Sequence, residues 1–206
     1  MNKIVRKLIK VFSFNYWYAL YVRRKYGITV SPDVNLSIRG KFIVGKDISI
    51  GRFSNILVAE NSSLTIGDDV WINDNCHIET CSGQSIKIGA RTTLQSRCQI
   101  RGDVIIENDV LFAPNVFISS GSHLYSYIPE LKIREQDKSY KDNHGIYYSK
   151  QITIGEDSWL GINVVVMPGV TIKKCCVVGS NSVVTKDFDV GSILVGTPAK
   201  KIKSRF

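Results

Sequence analysis

Branched aliphatic residues recur at every sixth position over most of the chain. One run reads Ile154, Leu160, Val166, Ile172, Val178, Val184 and Val190; another reads Ile88, Leu94, Ile100, Ile106, Phe112 and Ile118. Shorter runs precede them, Ile66, Ile72 and Ile78, and before those Val44, Ile50 and Ile56. Six residues are too few for a helix or a hairpin but suit one short strand and one corner. Three such units close a triangular coil of about 18 residues, and successive coils stack at about 4.8 Å, the spacing of hydrogen-bonded strands. A fixed six-residue period therefore predicts an all-β parallel β-helix.

Two further registers agree with that reading. The fourth residue after each aliphatic is small and should point inward: Val70, Cys76, Cys98, Val110, Val116, Ser158, Val164, Val170, Cys176 and Ser182. The residue after the aliphatic is often glycine (Gly45, Gly51, Gly67, Gly89, Gly155, Gly161, Gly179, Gly191), which suits the backbone angles of a tight corner. The period breaks three times. Four extra residues between Ile56 and Ile66, and again between Ile78 and Ile88, read as corner loops. After Ile118 it resumes only at Ile154, so about 30 residues leave the coil at one corner, and segments that long in a compact repeat are usually functional.

Residues 1–28 lack the period and read as a helical, basic and aromatic arm, followed by a coil domain over 29–203 that the loop 124–151 interrupts. In the arm Ile4, Leu8, Val11 and Phe12 share a helical face, and Phe14, Tyr16, Trp17, Tyr18 and Tyr21 follow. Its uncharged stretch is too short to span a bilayer. It fits a cap on the open end of the coil, or peripheral contact with an anionic lipid surface.

Net charge is +9, but the arm alone holds seven basic residues and no acid, and residues 200–206 hold four more. The coil body carries 16 basic against 18 acidic residues, which excludes a nucleic-acid groove along the solenoid. Five cysteines without metal-type spacing suit a reducing cytoplasm, and the arm adds the inner face of a membrane as a location.

Chemistry narrows to three histidines. His77 falls on a repeat strand, facing outward, and His144 lies late in the long loop. His123 ends the stretch LFAPNVFISSGSH, at the corner where the loop leaves the coil, and can serve as a general base near neutral pH. The three are too far apart for a close histidine pair, and no metal site is expected.

Four stretches, 111–123, IGEDSWLGINVVVMPGVTI (154–172), VVGSNSVVTKD (177–187) and VGTPAKKIK (195–203), resemble the hexapeptide-repeat acyltransferases of left-handed β-helix fold. The likeness is nearest the galactoside, maltose and capsular or lipopolysaccharide sugar O-acetyltransferases. The resemblance implies a homotrimer with acetyl-CoA in a groove between subunits. It places the family's catalytic histidine on His123, acting on the acceptor hydroxyl with no acyl-enzyme. Cofactor contacts fall on Trp159, on Gly161 and Ile162 beside the thioester, on Ser180, on Thr185 and Lys186, and on Lys200 near the nucleotide phosphates. All should gather along one edge of the solenoid. The loop is longer than in the galactoside and maltose enzymes. Its Tyr125, Arg134 and His144, among other aromatic and basic residues, point to a glycan or lipid-linked sugar acceptor in surface-polysaccharide assembly. An N-acetyltransferase of nucleotide-linked amino sugars and a non-catalytic scaffold are the alternatives.

Overall fold

The structure, a computed structural model, describes residues 14–206. From Thr29 onward short parallel strands form three sheets of nine, seven and six strands, and successive strands of each sheet come from successive coils. In the first sheet Thr29 pairs with Ser49, Ser49 with Trp71, Trp71 with Thr93, Thr93 with Leu111, Leu111 with Trp159, Trp159 with Val177, and Val177 with Ile193. The aliphatic columns are buried as their period requires, from Ile50 to Val184, and so is every small residue of the second register.

Three details differ from the expectation. The four-residue insertions are not simple corner loops. They lengthen the strands on either side, Asn55–Val58 with Ser63–Ile66 and His77–Thr80 with Ser85–Ile88, and each lengthened strand adds an inward residue: Val58, Leu64, Thr80 and Ile86. The triangle is thereby wider in its N-terminal half. The aliphatic column also ends at Val184. Val190 is 42% exposed, because Phe188 bridges to Ile172 two residues early and Leu194 takes the next inward place.

The third difference concerns the glycines. Of the eight that follow an aliphatic, only Gly191 has positive φ. The left-handed residue of each corner comes two places later and is mostly Asn or Asp, as at Asp69, Asn115, Asn163 and Asn181, side chains that tolerate this region. The glycines serve close approach instead. A Cβ on Gly89 would lie 2.4 Å from the carbonyl carbon of Glu107 on the next coil.

Helix α1 (Phe14–Tyr26) lies against the first coil. Val22 is fully buried, Tyr18 and Ala19 pack beside it, and the Tyr26 and Phe42 rings meet edge-on at 5.2 Å. It thus covers the open end of the solenoid. Its opposite face shows Trp17, Leu20, Tyr21, Arg24 and Lys25 to solvent. The face expected from Ile4, Leu8, Val11 and Phe12 lies outside the described residues. No described helix is long and apolar enough to cross a membrane. At the other end the last strand, Ala199–Ser204, turns back antiparallel on Ser192–Gly196.

Candidate active site

The long insertion leaves the coil after Ser120 and returns at Ile152, at the corner between the second and third sheets. It carries helix α2 (Ile133–His144), ended by Gly145 at φ 75° with its N–H on the Lys141 carbonyl. The buried side chain of Gln136 pins the approach to this helix. Its Oε1 accepts from the Tyr127 and Ile128 N–H groups at 2.9 and 3.2 Å, and its Nε2 donates to the Leu131 carbonyl at 2.9 Å.

The next residue on α2 is Asp137, and it meets His123. Asp137 Oδ1 accepts the Leu124 N–H at 2.9 Å, and Oδ2 lies 2.6 Å from His123 Nδ1. Burial opposes the charge on Asp137, but the Leu124 N–H and the imidazole outweigh it and hold the carboxyl below its ordinary range. An ionised carboxylate only accepts, so His123 Nδ1 carries the proton of that bond. In the neutral ring Nε2 is then left with its lone pair, on a side chain 84% exposed. A carboxylate-oriented imidazole with an open Nε2 is the arrangement that takes a proton from a hydroxyl.

The histidine was legible in the sequence; its partner was not. Glu130, Glu135, Asp137 and Asp142 are all in reach by chain distance, and only the pinned helix selects Asp137. Asp137→Asn should therefore lower kcat by at least about tenfold, part of the ~10²–10⁴ that general-base catalysis supplies, with little change in acceptor KM or melting temperature. An equal loss in KM would mean that Asp137 holds the loop rather than the ring.

Of the other residues singled out, His144 stacks on Tyr140 (centroids 4.1 Å apart) and donates Nδ1–H to the Tyr140 carbonyl at 2.9 Å, within a cluster of Tyr127, Tyr140 and Tyr148. Tyr125 and Arg134 are exposed on the insertion. Trp159 points outward from the first sheet, 51% exposed, between Leu111 and Val177. Gly161 and Ser180 meet one coil apart at the next corner, where a Cβ on Gly161 would lie 2.9 Å from Ser180 Oγ. The Gly161 N–H is spent on the Val178 carbonyl at 2.8 Å, so on this turn Ile162 carries the more accessible N–H. Lys200 pairs with Val195, whose side chain abuts Gly179, and so stands at the same end as Ser180. Thr185 and Lys186 do not join them. They follow Val184 of the second sheet and stand at the corner of the insertion, two coils beyond His123. Within one chain, then, the residues proposed to hold the cofactor stand on two corners rather than one edge.

Residues 151–186 match the model of bacterial transferase hexapeptide (six repeats). The chain thus carries the hexapeptide repeat of the bacterial transferases. It is similar to the galactoside O-acetyltransferases of Escherichia coli strain K12 (33% identical, over 68% of this chain and 63% of that protein) and of Lactococcus lactis subsp. lactis (40%, over 47% and 41%). It thus spans roughly two fifths to just under two thirds of the length of these relatives. Among solved structures, the polysialic acid O-acetyltransferase OatWY superposes with a TM-score of 0.61 at 26% identity, covering 86% of this chain and 88% of that one. The two chains thus share their overall fold over most of their lengths.

Proposed function

We infer that this protein transfers an acetyl group from acetyl-CoA to a sugar hydroxyl of a surface polysaccharide, or of its precursor. The observation that carries this reading is the His123–Asp137 pair, which leaves an open Nε2 at the mouth of the insertion. His123 Nε2 takes the proton of the acceptor hydroxyl as its oxygen attacks the thioester carbon. The Ile162 N–H is the candidate donor to the oxyanion. When the tetrahedral adduct collapses, His123 returns the proton to the departing thiolate, and no acyl-enzyme forms.

The two-corner arrangement supports a homotrimer. Gly161, Ile162 and Ser180 of one copy would face Thr185 and Lys186 of its neighbour across a shared groove, with Lys200 toward the nucleotide phosphates. The sugar acceptor is supported by the aromatic and basic side chains of the insertion, by the galactoside acceptors of the curated relatives and by the polysialic acid of the superposed structure. Thiol release from acetyl-CoA, measured across monosaccharides, nucleotide sugars and polysaccharide fragments, tests the reading. Acetyl transfer to at least one sugar hydroxyl is the expected result, whereas transfer only to amines would replace it.

We place the protein in the cytoplasm, at the inner membrane face. Trp17, Leu20 and Tyr21 beside Arg24 and Lys25 form a face suited to an anionic bilayer, where each basic residue contributes about 1 kcal/mol and salt screens it. The chain should sediment with anionic vesicles at low salt and release at high salt. No sedimentation at low salt would leave α1 as a cap alone.

A further inference from the structure

The corner that emits the insertion carries a second feature that the reaction does not need. A cavity of about 510 Å³ runs along it, lined on one side by coil residues, among them Asn61, Gly83, Gln84 and Gly102. Its other side is Lys141 and the returning segment from Gly145 to Tyr148. Asn61, Gly83, Gly102 and Gly121 are corner residues of four consecutive coils between the second and third sheets, so the cavity extends over three coil steps, about 14 Å. That is longer than one sugar ring. A second depression of about 390 Å³ holds Asp137, the partner of His123, and shares Lys141 and Tyr147 with the first. The two adjoin at Lys141 and Tyr147 and together make a trough that reaches Asp137, on which His123 is held.

The lining has the chemistry of a carbohydrate site. Tyr147 and Ile146 present exposed apolar faces of the kind on which sugar rings stack. Lys141 Nζ sits 4.5 Å over the Tyr147 ring and reaches its hydroxyl at 3.4 Å, placing a cation where the two depressions join. Arg101 is already held by Glu79, its Nε donating at 2.9 Å, so it shapes the wall without adding free charge. The independent pointer is Gln84. Its Oε1 is buried, yet it accepts no hydrogen bond from any described residue. A buried carbonyl without a donor is unfavourable, and a turn of the Gln84 side chain into the cavity it lines would offer that oxygen to sugar hydroxyls, which are donors.

We propose that this trough is an acceptor subsite for a sugar chain, which binds units beyond the one being acetylated and makes the protein select an oligosaccharide over a free monosaccharide. The proposal rests on the acetyl-transfer reading for the position of the reacting end, but its binding test does not. Affinity is measured by titration calorimetry with neutral glucans, uronates and sialic acids, each as one, three and six units. In at least one series it should rise about tenfold or more from one unit to six. In the double variant Gln84→Leu, Tyr147→Ala the six-to-one ratio should fall close to one with an unchanged melting temperature. Should that variant unfold, Lys141→Gln serves in its place. No rise with length in any series, or a rise that survives in a folded variant, overturns the proposal. The two readings separate cleanly. Length-dependent binding without thiol release in any series leaves the trough and removes acetyl transfer. Transfer to monosaccharides with no gain for chains removes the trough and leaves the enzyme.

Discussion

His123→Ala should reduce acetyl transfer by about 10²–10⁴-fold, the share that a positioned general base contributes, while coenzyme binding and melting temperature stay unchanged. The reason is geometric. His123 is exposed and packs on nothing in the coil, so its removal leaves no cavity; what is lost is the one oriented Nε2 at the mouth of the insertion. Steady-state thiol release with a saturating acceptor measures the loss, and calorimetric titration with CoA serves as the control. The alternative base is His144. Its Nδ1 is spent on the Tyr140 carbonyl and its ring lies flat against Tyr140, so His144→Ala should act on the order of the local tyrosine cluster rather than on proton transfer. Turnover of His123→Ala within a few-fold of the unaltered protein would transfer the role to His144 and dissolve the significance of Asp137.

The fold was legible because one physical demand repeats. Each six-residue unit must bury one large and one small side chain at fixed offsets, and the chain prints that demand at Ile88, Leu94 and Ile100 and again at Val110 and Val116. The corners were less legible. Glycine suggests freedom of φ, but at Gly89 it answers a clash with the neighbouring coil, while the unusual φ falls on Asn and Asp two places later. The site was half legible for a similar reason. His123 sits at a position that the coil period defines. Asp137 and Gln136 sit on a helix outside the period, and their meeting with Leu124 and Tyr127 depends on tertiary folding of the insertion. Likewise, strand order decides which corner a residue reaches, so Thr185 and Lys186 separate from Ser180 although only a few residues of chain divide them.

Ile100→Ala should destabilise the whole coil by about 2–5 kcal/mol, the cost of emptying a fully buried aliphatic site. Ile100 is stacked between Ile78 on one side and Ile118 on the other, and all three are wholly buried. A solenoid has no second core on which to fall back, since each coil touches only its neighbours. The cavity would also lie beneath the point of departure of the insertion. The Ser120 N–H donates to the Arg101 carbonyl at 3.1 Å, so loosening the Ile100 coil loosens the base on which His123 and α2 stand. Thermal unfolding followed by circular dichroism should therefore shift down by roughly 5–20 °C, at about 2–4 °C per kcal/mol for a chain of this size. Activity should fall with temperature earlier than in the unaltered protein. Gln99, next along the same strand, faces solvent, and Gln99→Ala should stay within about 0.5 kcal/mol. The contrast between adjacent residues is the informative quantity. Equal small effects at 99 and 100 would mean that the strand does not alternate inward and outward as the register requires, and the stacked-column account of stability would fail with it.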